Sequence, residues 1–238
     1  MKHWIRKRPV ETIANSVKQF NRGLRLEGRL PRGIAVLNPF QDNVDVFKWS
    51  DAFYDRFYSD SQERRLMLGI NPGRLGAGQT GIPFTDAKRL FENVGLGSHD
   101  NLTHETSSAF VYRVIEAYGG VEQFYTNFLV SSICPLGFVT TKNGKPVNFN
   151  YYDSPALQKA VEPFIIRCME EQLSWPMNRD VVYCLGTGKN LKFLNELNAD
   201  RRWFKRIVPL EHPRYIMQYK SSQVELYITK YLKALSAS

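Results

Sequence analysis

Four short apolar runs constrain this chain more than any other feature: Arg64-Arg65-Leu66-Met67-Leu68-Gly69-Ile70, Phe128-Leu129-Val130-Ser131-Ser132-Ile133, Asp180-Val181-Val182-Tyr183-Cys184-Leu185 and Arg206-Ile207-Val208-Pro209-Leu210. Each has the length of a buried strand rather than of a helix. Helical patterns at about 108 to 118, 155 to 174, 188 to 198 and 222 to 235 separate and follow them. Upstream, Val10, Ile13, Ala14, Val17, Phe20 and Leu24 fall three or four apart, and Phe47, Phe53 and Phe57 form a second stripe, so two further helices are expected. Strands alternating with helices predict an α/β fold of three layers, α/β/α, with a central, mainly parallel four-stranded sheet. With no internal repeat and no linker, residues 1–238 are expected to form a single domain, 1–30 being an N-terminal helical extension.

Sheets of this kind bind ligands beyond the carboxyl ends of their strands. Each run is followed at once by a loop of polar, Gly or Pro residues: Asn71-Pro72-Gly73, Cys134-Pro135-Leu136-Gly137, Gly186-Thr187-Gly188-Lys189 and Glu211-His212-Pro213-Arg214. These four loops are expected to converge.

Composition narrows what could bind there. The 238 residues carry 32 Lys and Arg against 23 Asp and Glu, a formal net charge of +9, which points to a polyanionic partner. Cys134, Cys168 and Cys184 include no Cys-x-x-Cys pair, which excludes a disulfide framework and a four-Cys metal or iron–sulfur site and suits a reducing, cytoplasmic compartment. The basic start, through Arg6-Lys7-Arg8, is not followed by an apolar run, and no stretch of eighteen or so apolar residues occurs, so neither a signal peptide nor a membrane span is expected.

Several motifs dissolve on inspection. Gly186-Thr187-Gly188-Lys189 is not a phosphate loop, because Tyr183 stands where that motif needs Gly and Asn190 where it needs a hydroxyl. His99 and His104 are five apart in a polar stretch, the wrong spacing for a helical zinc site. Asp86, Glu92, Glu105 and Glu211 could each serve as a general acid or base, and spacing singles out none of them. The segment from Leu68 to Phe84 is more informative. Its glycines admit close approach of backbone to a ligand, Asn71 offers an amide able to hold a water, and Phe84 offers a flat face. On these residues alone it is equally a ligand loop or a tight surface loop.

Gly69-Ile70-Asn71-Pro72-Gly73, six residues, then Gln79-Thr80-Gly81-Ile82-Pro83-Phe84 resembles, without a gap, the first motif of the single-strand-selective monofunctional uracil-DNA glycosylases, a branch of the uracil-DNA glycosylase superfamily. Asn38-Pro39 is similar to an upstream element of that family. Glu105-Thr106-Ser107-Ser108-Ala109-Phe110 leading to Cys134-Pro135-Leu136 is similar to its third-loop region, and His212-Pro213 to its last motif. The resemblance covers roughly 34 to 216 and is nearest a bacterial-type member.

The resemblance implies a monofunctional DNA glycosylase of base excision repair. Such an enzyme flips uracil or a related base out of DNA, hydrolyses its N-glycosidic bond with water and leaves an abasic site. It implies that Asn71 positions the water, that His212 donates to the departing base, that Phe84 stacks on the base, and that Ile70 and Gly73 line its edge. Gly73, having no side chain, is expected to leave room for a substituent at the pyrimidine 5-position. Arg74, Lys145, Lys189 and Arg214 are expected to hold phosphates, with Gly76 and Tyr215 also against DNA and Ile216 as the wedge filling the emptied position. No metal or organic cofactor is implied, and the protein is expected to act as a monomer.

Two departures stand out. Ser132 replaces an Asn that would grip two atoms of uracil, which predicts a broadened or shifted base preference. Arg214-Tyr215-Ile216-Met217 follows the His-Pro pair in place of the family's continuation. The competing readings are a catalytically silent DNA-binding module on the same fold and a nucleoside or nucleotide N-glycosidase.

Overall fold

The computed structural model describes residues 11–100 and 102–236; the first ten residues of the expected extension, with Arg6-Lys7-Arg8, lie outside them. The chain begins with α1 (Ile13–Gly23), β1 (Ile34–Leu37), α2 (Pro39–Asp42) and α3 (Val44–Tyr58). Then come β2 (Arg64–Gly69), the short α4 (Ala77–Thr80) and α5 (Ala87–Glu92), α6 (Thr106–Tyr118), α7 (Val121–Asn127) and β3 (Phe128–Ser132). The second half holds β4 (Gly137–Lys142), β5 (Lys145–Phe149), α8 (Pro155–Gln172), β6 (Met177–Leu185), α9 (Lys189–Arg201), β7 (Arg206–Leu210), α10 (Pro213–Tyr219) and α11 (Val224–Ser236).

The four apolar runs form one wholly parallel sheet in the order β3-β2-β6-β7, flanked by helices. Leu66, Leu68, Phe128, Val182, Tyr183, Cys184 and Leu185 are completely buried, and burial falls on consecutive residues because both faces of the sheet are covered. Each such side chain contributes about 1.5–3 kcal/mol over leaving it in water. Gly69 pairs with Ser132, Leu68 with Cys184 and Leu185 with Leu210, so the strands end almost flush. From β2 the chain moves outward to β3, then returns past β2 to β6. The order therefore reverses beside β2, and a crevice opens where Asn71 emerges.

The N-terminal helix is not an appendage. Thr12 Oγ1 caps α1 by accepting the Asn15 N–H at 3.2 Å, and Ile13, Ala14, Val17 and Phe20 are buried in the main core. Phe20 meets Trp175 edge-on with ring centroids 5.5 Å apart.

A second sheet has no counterpart in the expectations. β1, β4 and β5 form an antiparallel meander in the order β1-β4-β5. β4 and β5 are joined by a two-residue turn, Asn143-Gly144, with φ of +51° and +72°. Asn-Gly between two extended segments is a strong hairpin signal. It is easily passed over here because the strands around it are polar and half exposed.

At the amino end of β2 the fully buried Arg64 donates to Tyr125 O at 2.9 Å, Gln62 O at 2.8 Å and Asp60 Oδ2 at 2.9 Å. Arg64→Met is expected to orphan those carbonyls and lower stability by about 2–4 kcal/mol in urea unfolding.

Candidate active site

A cleft of about 250 Å³ opens at the carboxyl edge of the parallel sheet. It collects Ile70, Asn71 and Gly73 after β2, Phe84 before α5, Ser132 at the end of β3, and His212 and Arg214 after β7. Two of the four converging loops line it directly. The loop after β3 sends Pro135 to a smaller neighbouring cavity, and on this side the cleft is lined instead by Ser132, the last residue of β3. The loop after β6 reaches it only through Lys189, whose ammonium lies 5.9 Å from the ring centre of Tyr152, a residue of the cleft wall.

The Asn71 amide is held from both ends. Its Oδ1 accepts the Tyr151 N–H at 3.1 Å, and its Nδ2 points to Phe149 O at 3.4 Å and Pro72 O at 3.3 Å. An amide oxygen has two lone pairs, so one is left for a water in the cleft. The segment after β5 is itself anchored: Tyr151 Oη donates to Asn190 Oδ1 at 2.9 Å, and Asn190 is buried at the start of α9.

His212 is the N-cap of α10. Its Nδ1 accepts the Arg214 N–H at 3.1 Å, which places the ring proton on Nε2 and makes that nitrogen a donor. Burial, and then the Arg214 guanidinium, push its pKa down to about 4, so the imidazole is neutral at physiological pH. Phe84 lies beside it with ring centroids 5.8 Å apart. Phe84 has φ +53°, a strained conformation for a side chain of this size, and its ring edge occupies the space where a Cβ on Gly69 would stand, 2.6 Å from Cε2. Gly69 is therefore bare so that Phe84 can close over the end of β2.

Ser132 is 6% exposed and separates the cleft from an apolar cavity of about 40 Å³, walled by Phe20, Leu24, Tyr54 and Trp175 among others. Glu105, at the amino end of α6, is the one carboxylate of the cleft wall among the described residues. Burial raises its pKa, against the opposing pull of Arg214 at 3.8 Å and Ser108. The three other carboxylates are engaged elsewhere or outside the cleft. Asp86 is fully buried, accepting from the Arg89 and Glu105 main-chain N–H groups at 2.8 and 2.6 Å, Glu211 pairs with Lys230 at 2.6 Å, and Glu92 faces Lys88 at 3.7 Å.

Several expectations need correction. Gly73 does line the cleft, and a Cβ there would meet Glu105 Oε1 at 2.7 Å and Asn148 Nδ2 at 3.3 Å, so its missing side chain also makes room for Glu105. Gly76 is buried beneath the same carboxylate, 2.1 Å from where its Cβ would be, and presents nothing to DNA. Ile216 is completely buried in α10, because that helix starts immediately after His212 and turns position 216 into the core; it is not available as a wedge. Lys145 sits beside the hairpin turn and does not line the cleft; it is three residue steps along β5, about 10 Å, from Asn148, which does. Arg74 also stays outside the lining, its main-chain N–H going to Asn148 Oδ1 at 3.0 Å.

Arg214 and Tyr215 do line the cleft, together with Asn148, Asn150, Tyr152, Gln218 and Tyr219, none of which the sequence singled out. The Asn143-Gly144 signal would have located the first three. Among the described residues, no group of three or more His, Cys, Asp or Glu side chains is placed to hold a metal ion.

A parallel-sheet cleft with an amide and a neutral imidazole facing one cavity defines a class of hydrolytic sites, and comparison with known proteins specifies it. The sequence pattern of the Uracil DNA glycosylase superfamily matches residues 56–236. The crystal structure of wild-type SMUG2 from Pedobacter heparinus is similar over 95% of this chain and 97% of that one, with 51% identity and a TM-score of 0.93. The chain belongs to the uracil DNA glycosylase superfamily. Its activity is that of a DNA glycosylase of base excision repair, a hydrolase of N-glycosyl bonds, with DNA as substrate; the silent module and the nucleoside hydrolase are not favoured.

The imidazole gives a pH signature. His212 in the folded protein titrates near 4, below its ordinary 6.5, so the unfolded chain binds the extra proton first. Its contribution to stability is complete above pH 6.5 and is lost as pH falls from 6.5 through 4. Urea unfolding of the wild type is expected to weaken over that window more steeply than that of His212→Gln. Identical slopes for the two proteins would contradict a neutral, buried imidazole.

Proposed function

We propose that the cleft receives a uracil or a related deaminated or modified base flipped out of DNA, and that Asn71 and His212 carry the hydrolysis. One observation carries this reading: an amide and an imidazole far apart in the sequence line the same cavity, beside an aromatic face and a buried hydroxyl. As the C1′–N1 bond lengthens, its electron pair moves onto the base and negative charge appears at the base oxygen. The Nε2–H of neutral His212 is a donor aimed at charge that exists only near the transition state. The sugar becomes an oxocarbenium-like cation, and a water held by Asn71 Oδ1 adds to C1′. Its hydroxyl stays on the sugar and its proton balances the anionic base, which leaves neutral. An amide suffices for the water because the electrophile is already cationic.

We assign the attack to the water held by Asn71; no Lys lines the cleft among the described residues, so strand cleavage through a Schiff base is not expected. Phe84 offers a stacking face for the base and Ile70 its edge, and we assign the flanking phosphates to Arg214, in the lining, and to Lys189, whose ammonium lies 5.9 Å from the Tyr152 ring centre. We take residues 11–236, whose buried residues form one continuous core, to work as a single-domain monomer. The three unpaired, buried thiols suit the reducing cytoplasm. No helix among the described residues is long and apolar enough to cross a membrane.

Alkali treatment after incubation with uracil-bearing oligonucleotides reads base release as strand breakage. Asn71→Ala and His212→Ala are each expected to slow release by about 10²–10⁴-fold. Wild-type rates in either variant would remove these residues from the mechanism.

Ser132 sets a second expectation. A hydroxyl backed by an apolar cavity grips the base edge less completely than an amide would. Ser132→Asn is expected to raise the preference for uracil over hypoxanthine or xanthine by roughly 10- to 100-fold in kcat/KM. An unchanged ratio would remove Ser132 from base recognition.

A further inference from the structure

We propose that Tyr215 and Tyr219 form a second nucleobase site beside the cleft, a stacking surface for the base that adjoins the extruded nucleotide in the same strand. The inference rests on the cleft being the base pocket. It starts from the two faces of α10. Pro213 and Ile216 are buried, and Ile216 has no exposed surface at all. Tyr215 and Tyr219, four residues apart and so on one side of the helix, are 43% and 71% exposed. Their ring centroids lie 5.6 Å apart with planes inclined by 39°.

Both rings border the cleft that holds Asn71 and His212. A strand that places one base in that cleft must lead its neighbour along the rim, and the helix carrying His212 presents these two rings there. Arg214, on the same helix, supplies a cation for the intervening backbone. An aromatic ring accepts any base on its π-face, and the hydroxyl at its far end keeps it compatible with water while unoccupied. A duplex hides base faces against neighbouring pairs, so this surface suits a base already freed from stacking. With a net charge of +9 on the chain and the pocket alongside, the occupant we assign is DNA, not a second copy of the protein.

The experiment removes the ring and the base in turn. A single-stranded oligonucleotide with one uracil is compared with two versions in which the nucleotide on the 5′ or the 3′ side of the uracil carries no base. Each is tested with wild type, Tyr215→Ala, Tyr219→Ala and Tyr219→Trp, reading KM for base release and binding by fluorescence anisotropy. Tyr219 is exposed enough that its replacement leaves the core intact. Loss of the neighbouring base on one side is expected to weaken wild-type binding by roughly 5- to 150-fold, the range of one base–aromatic stack. Tyr219→Ala is expected to show that weakening on the intact strand and little more when the base is missing, and Tyr219→Trp to restore the wild-type response.

Equal sensitivity to the missing base in wild type and both alanine variants overturns the proposal. So does a concentration-dependent self-association lost in Tyr219→Ala with the DNA response unchanged, which would give the rings to a second copy. If the wild type releases uracil in either of those cases, the reading of the cleft stands while this one falls. Failure of the wild type to release any base would instead overturn the reading of the cleft, and anisotropy alone would then decide whether the rings stack on DNA.

Discussion

The site depends on one side chain clasping two sheets. Asn71 leaves the central strand β2 and is fastened to the backbone at Phe149 and Tyr151, just after the antiparallel hairpin ends. Tyr151 is fastened in turn to Asn190, whose amide nitrogen lies 3.3 Å from Leu185 O and 3.5 Å from Gly69 O. The chain of contacts closes on the strand from which Asn71 came. Both Tyr151 and Asn190 are buried, where an unmade hydrogen bond is costly, so the arrangement resists local distortion. On the reading proposed for the cleft, an amide locked this way does not have to reorganise when charge appears next to it, as electrostatic catalysis by fixed dipoles requires.

The same economy of charge runs through the cleft. The chain is strongly basic, yet the cleft is lined mostly by neutral polar and aromatic groups, with Arg214 and Glu105, 3.8 Å apart, as the guanidinium and carboxylate among its described residues. A neutral base can enter such a cavity without displacing an ion. Capping of the α10 backbone fixes His212 as a neutral donor, and burial next to Arg214 keeps it so. A cationic imidazole would lose its role as cap acceptor, because both ring nitrogens would then carry protons.

The parallel sheet was legible because its strands are buried on both faces and stand out as unbroken apolar runs, and the convergence of loops followed from strand polarity alone. Asn71 and His212 were singled out by the resemblance to the glycosylase family rather than by the residues alone; each lies two residues beyond a strand end, after Gly69 and Leu210. What failed to show depended on rotation or on polar packing. Ile216 sits where a wedge is expected if the chain after His212 is extended. The Ile216 N–H bonds to His212 O at 3.2 Å, and one helical turn carries the side chain inward. The burial of Gly76, and the packing of Glu105 against both Gly73 and Gly76, could not be read because that carboxylate arrives at the start of α6, about thirty residues further along. Glu105 could not be told apart from Asp86, Glu92 or Glu211 until the fold showed which carboxylate faces the cavity. The antiparallel sheet escaped notice because β1 is only four residues long and lies about a hundred residues from the hairpin it joins, and because β5 is polar and half exposed.

Helix α10 ties these strands of argument together. A helix that begins on His212 uses the imidazole to satisfy one of its own unpaired N–H groups, and that bond dictates which ring nitrogen can donate. The same start point sets the phase of the helix, hiding Ile216 and turning Tyr215 and Tyr219 outward at the rim. Tautomer and surface are therefore not independent features of this enzyme. On the reading proposed for the cleft, a change that shifted the first turn of α10 by one residue would move the donor away from the base and rotate the aromatic rings off the rim together. Chemistry and the surface beside it are coupled through seven residues of backbone.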